Sequence, residues 1–202
     1  MLPGEPNIIG VVLCGGKSSR MGSDKGLMIT QETYWAKEAA AKLKFLHSDI
    51  YFSVNEMQVE PYAAFVERKY LIIDNEALNT GGPLKGLLSA HECFPGSNIL
   101  LLACDMPLMK TEVLEFLWQQ YQQTEYDAYV FGEPGCSEPL AAIYRGNALA
   151  FVYEELQSGR LQYFSMQHVL QLLHTKYYSI PAQWKDAFLN VNSVEELKRI
   201  TR

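Results

Sequence analysis

The chain has no run of apolar residues approaching the ~20 that a membrane-spanning helix needs. Its opening, MLPGEPN, lacks the basic start and apolar stretch of a secretory signal. Cysteine is sparse. Cys14, Cys93, Cys104 and Cys136 form no C-x-x-C pair, and no two histidines stand at helical spacing, so no zinc site is legible. Positive charge is in deficit: 17 Lys and Arg against 23 Asp and Glu give a net charge of -6, which argues against nucleic acid or a membrane surface as the main partner. No internal repeat or low-complexity linker breaks the chain. Its 202 residues, 48% of them apolar, suit one domain, 1–202, with an ample core. Together these absences predict a cytoplasmic protein in a reducing compartment, with Cys14 and Cys104 as buried thiols at the ends of apolar runs.

What is present is concentrated between Gly10 and Lys25, GVVLCGGKSSRMGSDK. An apolar, β-branched run, Ile8 to Leu13, stops at the paired glycines Gly15 and Gly16 and reads as a buried strand. Glycines after such a strand let backbone N–H groups approach a ligand, so the amides of Cys14 to Gly16 are expected to face it. Lys17, Arg20 and Lys25 follow. Backbone donors and cations in one loop suit a triphosphate. The Walker A pattern is excluded, because Gly16-Lys17-Ser18 would need glycine where Val11 stands, and the dinucleotide pattern G-x-G-x-x-G has no match.

Further along, strands alternate with helices. Strands are expected at 49–55, 70–74, 98–104, 127–132, 140–144 and 177–180. Helices are expected at 33–46, 61–68, 84–94 (Pro83 at its start), 111–122 (capped by Thr111), 147–157 and 163–173, with a last helix opened by a Ser193–Glu196 capping box. Leu117, Trp118, Tyr121 and Tyr126, like Tyr163, Phe164, Met166 and Val169, read as core stripes. This order predicts an α/β/α sandwich with a mostly parallel sheet, whose ligands bind beyond the carboxyl ends of the strands. Asn55, Asp74 and Asp105 stand at three of those ends, beside the glycine loop at a fourth. Asp105 follows the most continuous apolar run, NILLLAC. A carboxylate there needs a cationic or hydrogen-bonding answer, and Mg²⁺ is the natural one beside phosphates.

The first loop resembles the signature L-x-G-G-x-S-x-R-M-G-x-D-K of the molybdenum cofactor guanylyltransferases, nucleotidyltransferases with a Rossmann-like nucleotide-diphospho-sugar transferase fold. Leu13, Gly15, Gly16, Ser18, Arg20, Met21, Gly22, Asp24 and Lys25 match; Cys14 stands where alanine is commoner. The resemblance extends through Gly82-Pro83-Leu84-Lys85-Gly86-Leu87, the C-D-x-P segment at Cys104-Asp105, Pro139-Leu140 with Tyr144-Arg145, and Asn190-Val191-Asn192-Ser193. Thr30 to Thr33 departs from the Gly-Lys that many relatives carry there.

The resemblance implies transfer of GMP from GTP to the terminal phosphate of molybdopterin, with Mg²⁺. It implies nucleotide contacts at Leu13, Cys14, Gly15, Gly16, Lys25, Asn55, Asp74 and Asp105, pterin contacts at Asn190 and Asn192, and metal ligation by Asp105. Arg20, Lys25 and Asp105 would be catalytic, and the product would pass to molybdoenzymes or their chaperones. A related cytidylyltransferase acting on molybdopterin or on a sugar or polyol phosphate is the alternative. Relatives using CTP usually read A-A-G at the first loop and place aspartate where Asn190 and Asn192 stand, which favours GTP here.

Overall fold

A computed structural model describes residues 7–15, 24–30 and 33–200. The first half contains β1 (Ile8–Leu13), β2 (Ile29–Thr30), β3 (Thr33–Tyr34), α1 (Trp35–Lys42), β4 (Ile50–Val54), α2 (Val59–Ala63), β5 (Leu71–Ile73) and α3 (Pro83–Cys93). The second contains β6 (Asn98–Ala103), α4 (Thr111–Gln123), β7 (Ala128–Glu133), β8 (Cys136–Ser137), β9 (Ala141–Tyr144), α5 (Gly146–Gln157), α6 (Met166–Leu172), β10 (Thr175–Tyr178) and α7 (Val194–Ile200).

The main sheet runs β10-β7-β9-β6-β1-β4-β5, with β8 beside β7. Pairing is parallel between β6, β1, β4 and β5, and between β7 and β10; β9 alone is antiparallel to both its neighbours, β6 and β7, in this path. Every residue of β1 and β6 is buried, because helices cover both faces, and this is why their sequences are continuous apolar runs instead of alternating ones. Alternate residues still serve opposite faces. Val12, Leu100 and Leu102 pack with Ala36, Leu114 and Phe188 on one side. Val11, Leu13, Ile99 and Leu101 pack with Leu84, Leu87, Leu149 and Val169 on the other. The result is the expected α/β/α sandwich. Among the described residues, no helix is long and apolar enough to cross a membrane.

Several boundaries differ from expectation for local reasons. The helix expected from residue 33 starts at Trp35, because Thr33 and Tyr34, good strand formers, pair antiparallel with Thr30 and Ile29. Trp35 Nε1 then donates to Thr30 Oγ1, which donates to Glu38. The helix expected at 61–68 occupies Val59–Ala63, with Pro61 in its first turn, where a missing N–H costs nothing. Thr111 is the first helical residue of α4, not its cap; Lys110 holds that position without a side-chain bond. α6 begins only after Ser165, whose Oγ accepts the His168 N–H. Tyr163 and Phe164 therefore lie outside the helix and are exposed, whereas Met166 and Val169 are core. Leu117 and Tyr121 are buried as expected, with Trp118 and Tyr126 packed partly against them. The last strand lies at Thr175–Tyr178, in register with Ala128–Phe131. At α7, Ser193 Oγ accepts the Glu196 N–H, but the Glu196 carboxylate reaches the Asn192 N–H, one residue before the usual partner.

Leu101 sits fully buried in the central strand of this sandwich. Leu101→Ala is expected to lower unfolding free energy by roughly 2–5 kcal/mol, read as a lower urea midpoint with an unchanged slope.

Candidate active site

The strand order β6-β1-β4-β5 places four parallel carboxyl ends side by side. Asp105, Cys14-Gly15, Asn55 and Asp74 follow those four strands, so they meet at one edge of the sheet. A cleft of about 210 Å³ opens there, lined by Leu13, Cys14, Gly15, Lys25, Gly82, Pro83, Ala103, Cys104, Asp105 and Leu140. A larger groove of about 890 Å³ lies between α1, the 107–111 segment and α7 and contains none of these strand-end residues.

Lys25 opens a short 3₁₀ turn, Lys25–Leu27, and its Nζ lies 2.9 Å from Asp105 Oδ2. The two side chains are 24% and 21% exposed, so the pair is largely withdrawn from water. Asp105 Oδ1 is buried and has no partner among the described residues. One oxygen of this carboxylate is thus neutralised by a lysine and the other is open to a further cation. The donor set is oxygen only, and among the described residues no group of three or more His, Cys, Asp and Glu could hold a metal by itself. That suits an ion sharing its coordination with phosphates and water. The Asp105 carbonyl accepts the Val191 N–H at 2.9 Å. Val191 is fully buried, and Asn190 and Asn192 are exposed on either side of it, so the structure brings this segment to the cleft's margin.

At β5, Asp74 Oδ1 accepts from Ser53 Oγ at 2.7 Å. Burial pushes the Asp74 carboxyl above the usual carboxylate range, against the opposing pull of Ser53 and Lys85. Its Oδ2 faces Gly15. A Cβ added to Gly15 would lie 2.7 Å from that oxygen, so a side chain there would have to push the Asp74 carboxylate aside. Asn55 spends its Oδ1 on the Gln58 N–H and closes a capping box with that residue. Cys14 and Cys104 are both buried. The neighbouring Cys14 thiol and burial push the Cys104 thiol well up.

One expectation is overturned. The N–H groups of Cys14 and Gly15 do not face the cleft as free donors; both donate to the Ser53 carbonyl, at 2.9 and 3.0 Å. The strand pairing of β1 with β4 continues one step into the loop and consumes them. Gly16 and Arg20 lie outside the described residues. Ser53, Gln58 and Lys85 are participants that sequence reasoning missed; only Lys85, inside the G-P-L-x-G-L segment, carried any signal.

The family profile described as the MobA-like NTP transferase domain matches residues 10–173, which include the carboxyl end of every strand of this edge. The chain belongs to the MobA-like NTP transferase family. A probable molybdenum cofactor guanylyltransferase from Bacillus cereus (strain B4264) is 31% identical over 192 residues, covering 93% of this chain and 92% of its own. One from Geobacillus sp. (strain WCH70) is 29% identical over 193 residues, covering 95% and 96%. Among solved structures, molybdopterin-guanine dinucleotide biosynthesis protein A from Archaeoglobus fulgidus aligns with a TM-score of 0.73 at 25% identity, over 95% of each chain. This MobA-like transferase is therefore a nucleotidyltransferase with the Rossmann-like fold of its family.

The raised Asp74 carboxyl has a sign that can be tested. A folded-state pKa above the unfolded one favours the native state below about pH 4, and that benefit is lost as pH rises through the folded value. Asp74→Asn, which keeps an acceptor for Ser53, is expected to raise the melting temperature relative to wild type more at pH 7 than at pH 4. Equal shifts at both pH values would refute it.

Proposed function

We propose that this chain transfers GMP from GTP to the terminal phosphate of molybdopterin, releasing pyrophosphate and forming molybdopterin guanine dinucleotide. The observation that carries the proposal is the Lys25–Asp105 pair at the sheet's carboxyl edge, with its second carboxylate oxygen buried and unpartnered among the described residues. The names of its relatives support the choice of guanylyl donor and pterin acceptor. A phosphate nucleophile is already ionised near neutral pH, so the reaction needs no general base, and no histidine lines the cleft. Catalysis rests on positioning and on neutralising charge around the α-phosphorus.

Lys25 exchanges its carboxylate partner for phosphate oxygens when the triphosphate enters, and Arg20 serves the same polyanion. The open Asp105 oxygen fits Mg²⁺, which supplies charge neutralisation on the phosphates when bound. Leu13, Cys14, Gly15, Gly16 and Asn55 form the nucleotide's surroundings. Asp74, facing Gly15, offers an acceptor to a nucleoside hydroxyl or amino group. Asn190 and Asn192 lie where the pterin enters. We take residues 1–202 as one domain acting in the cytoplasm, with the product passed to molybdoenzymes or their chaperones.

Asp105→Ala is expected to abolish pyrophosphate release from GTP and molybdopterin in the presence of Mg²⁺. Lys25→Ala is expected to lose on the order of 10²-fold in kcat, as for deletion of one strong transition-state contact. Full activity of Asp105→Ala would dispose of the metal assignment. Thermal melts with Mg²⁺ and either GTP or CTP test the donor: stabilisation by GTP is expected, and stabilisation by CTP alone would reverse the choice.

A further inference from the structure

Gln58 stands four residues beyond the end of β4, yet its amide joins two distant parts of the chain. Its Nε2 donates to the Cys14 carbonyl at 3.0 Å and to Asp24 Oδ2 at 2.6 Å. Cys14 and Asp24 stand near the two ends of the glycine-rich signature, and Lys25 is the next residue. The other Asp24 oxygen accepts the Gly26 N–H at 2.9 Å and the Tyr62 hydroxyl at 3.1 Å. Gly26 itself lies so close under Tyr62 that a Cβ there would collide with the hydroxyl.

The chemistry of the amide separates two roles. The local turn uses only Oε1, which accepts the Asn55 N–H at 2.9 Å to complete the capping box. Glutamate would serve that turn as well. Glutamine is needed only for its Nε2, and both hydrogens of that nitrogen are spent on the flanks of the loop. The bond to Asp24 is charge-assisted and the side chain is only 8% exposed, so the contact is made in a low-dielectric setting.

We propose that Gln58 is a positioning residue for nucleotidyl transfer: it fastens Asp24 to the Cys14 carbonyl and so delivers the adjacent Lys25 to Asp105 across the cleft. The inference rests on reading that cleft as the nucleotide site. Gln58 lines neither the cleft nor the ion pair, and acts through Asp24.

The test uses the full chain with Gln58→Glu and Gln58→Met. GTP affinity is measured by calorimetry, each value taken as a ratio to wild type at the same pH. Gln58→Glu keeps the capping acceptor and sets a second carboxylate against Asp24. Binding roughly tenfold weaker than wild type is expected at about pH 8, where both carboxylates are charged. The deficit should shrink at about pH 5.5, as the two carboxyls come to share a proton that restores a donor between them. Gln58→Met, without donor or acid, should bind about tenfold more weakly at both pH values. Wild-type affinity in both variants at the higher pH overturns the inference, and so does a deficit in Gln58→Glu that acid leaves unchanged.

A nucleotide-free readout keeps the two readings apart. Hydrogen exchange of the Gly26 amide, which donates to Asp24, should accelerate roughly tenfold in Gln58→Met. Unchanged exchange there would mean that Gln58 merely caps its own turn. Accelerated exchange in a protein whose wild type fails to bind GTP would refute the nucleotide assignment and leave the clasp standing.

Discussion

The desolvation of one carboxylate governs the arrangement of this molecule's edge. Asp105 is carried to the rim of a fully buried strand by β6, where an unanswered charge would be costly. Lys25 answers half of it, and the other oxygen is buried without a partner among the described residues. The same logic runs in reverse for Lys25, whose ammonium is shielded from water and has Asp105 as its counter-ion. Each charge makes the other tolerable at the rim of the core. A site of this kind requires its cation and carboxylate to come from strands adjacent in space. Parallel pairing of β1 with β6, Leu13 opposite Ala103, provides that.

The neighbouring carboxylate, Asp74, shows a different balance. Among the described residues it has no ion-pair partner; Ser53 offers one hydrogen bond while Lys85 pairs at 2.7 Å with Glu76. Burial therefore dominates and the carboxyl is pushed up. Two acids on one sheet edge thus stand in different settings, one neutralised by a cation and one held by a hydroxyl.

Much of this was legible in the sequence because it is written in contiguous runs. Ile8–Leu13 and Asn98–Ala103 announce buried parallel strands, and whatever polar residue follows such a strand must stand at its carboxyl edge. Asp105 was readable on that ground, and Lys25 as one of the cations of the glycine-rich loop. The parts that failed depend on contacts between distant segments. Nothing in GVVLCGG says that the Cys14 and Gly15 amides will be taken by the Ser53 carbonyl; that follows from the register of β1 against β4. Nothing in EMQ marks Gln58, whose decisive partner Cys14 is 44 positions away. The late start of α1 was decided by a two-residue ladder whose partner strand lies a few residues upstream. Patterns of period and capping describe one segment at a time, and these features belong to pairs.

The reversed direction of β9 gives the site a wall of separate origin. Because this strand runs against β6 and β7, its beginning, not its end, lies at the carboxyl edge, and Leu140 enters the cleft just ahead of it. The stretch from Gly135 to Leu140 can therefore be remodelled while the part of the cleft built from β1 and β6 keeps its geometry. One backward strand thus makes two walls of the cleft mechanically separable parts of a single scaffold.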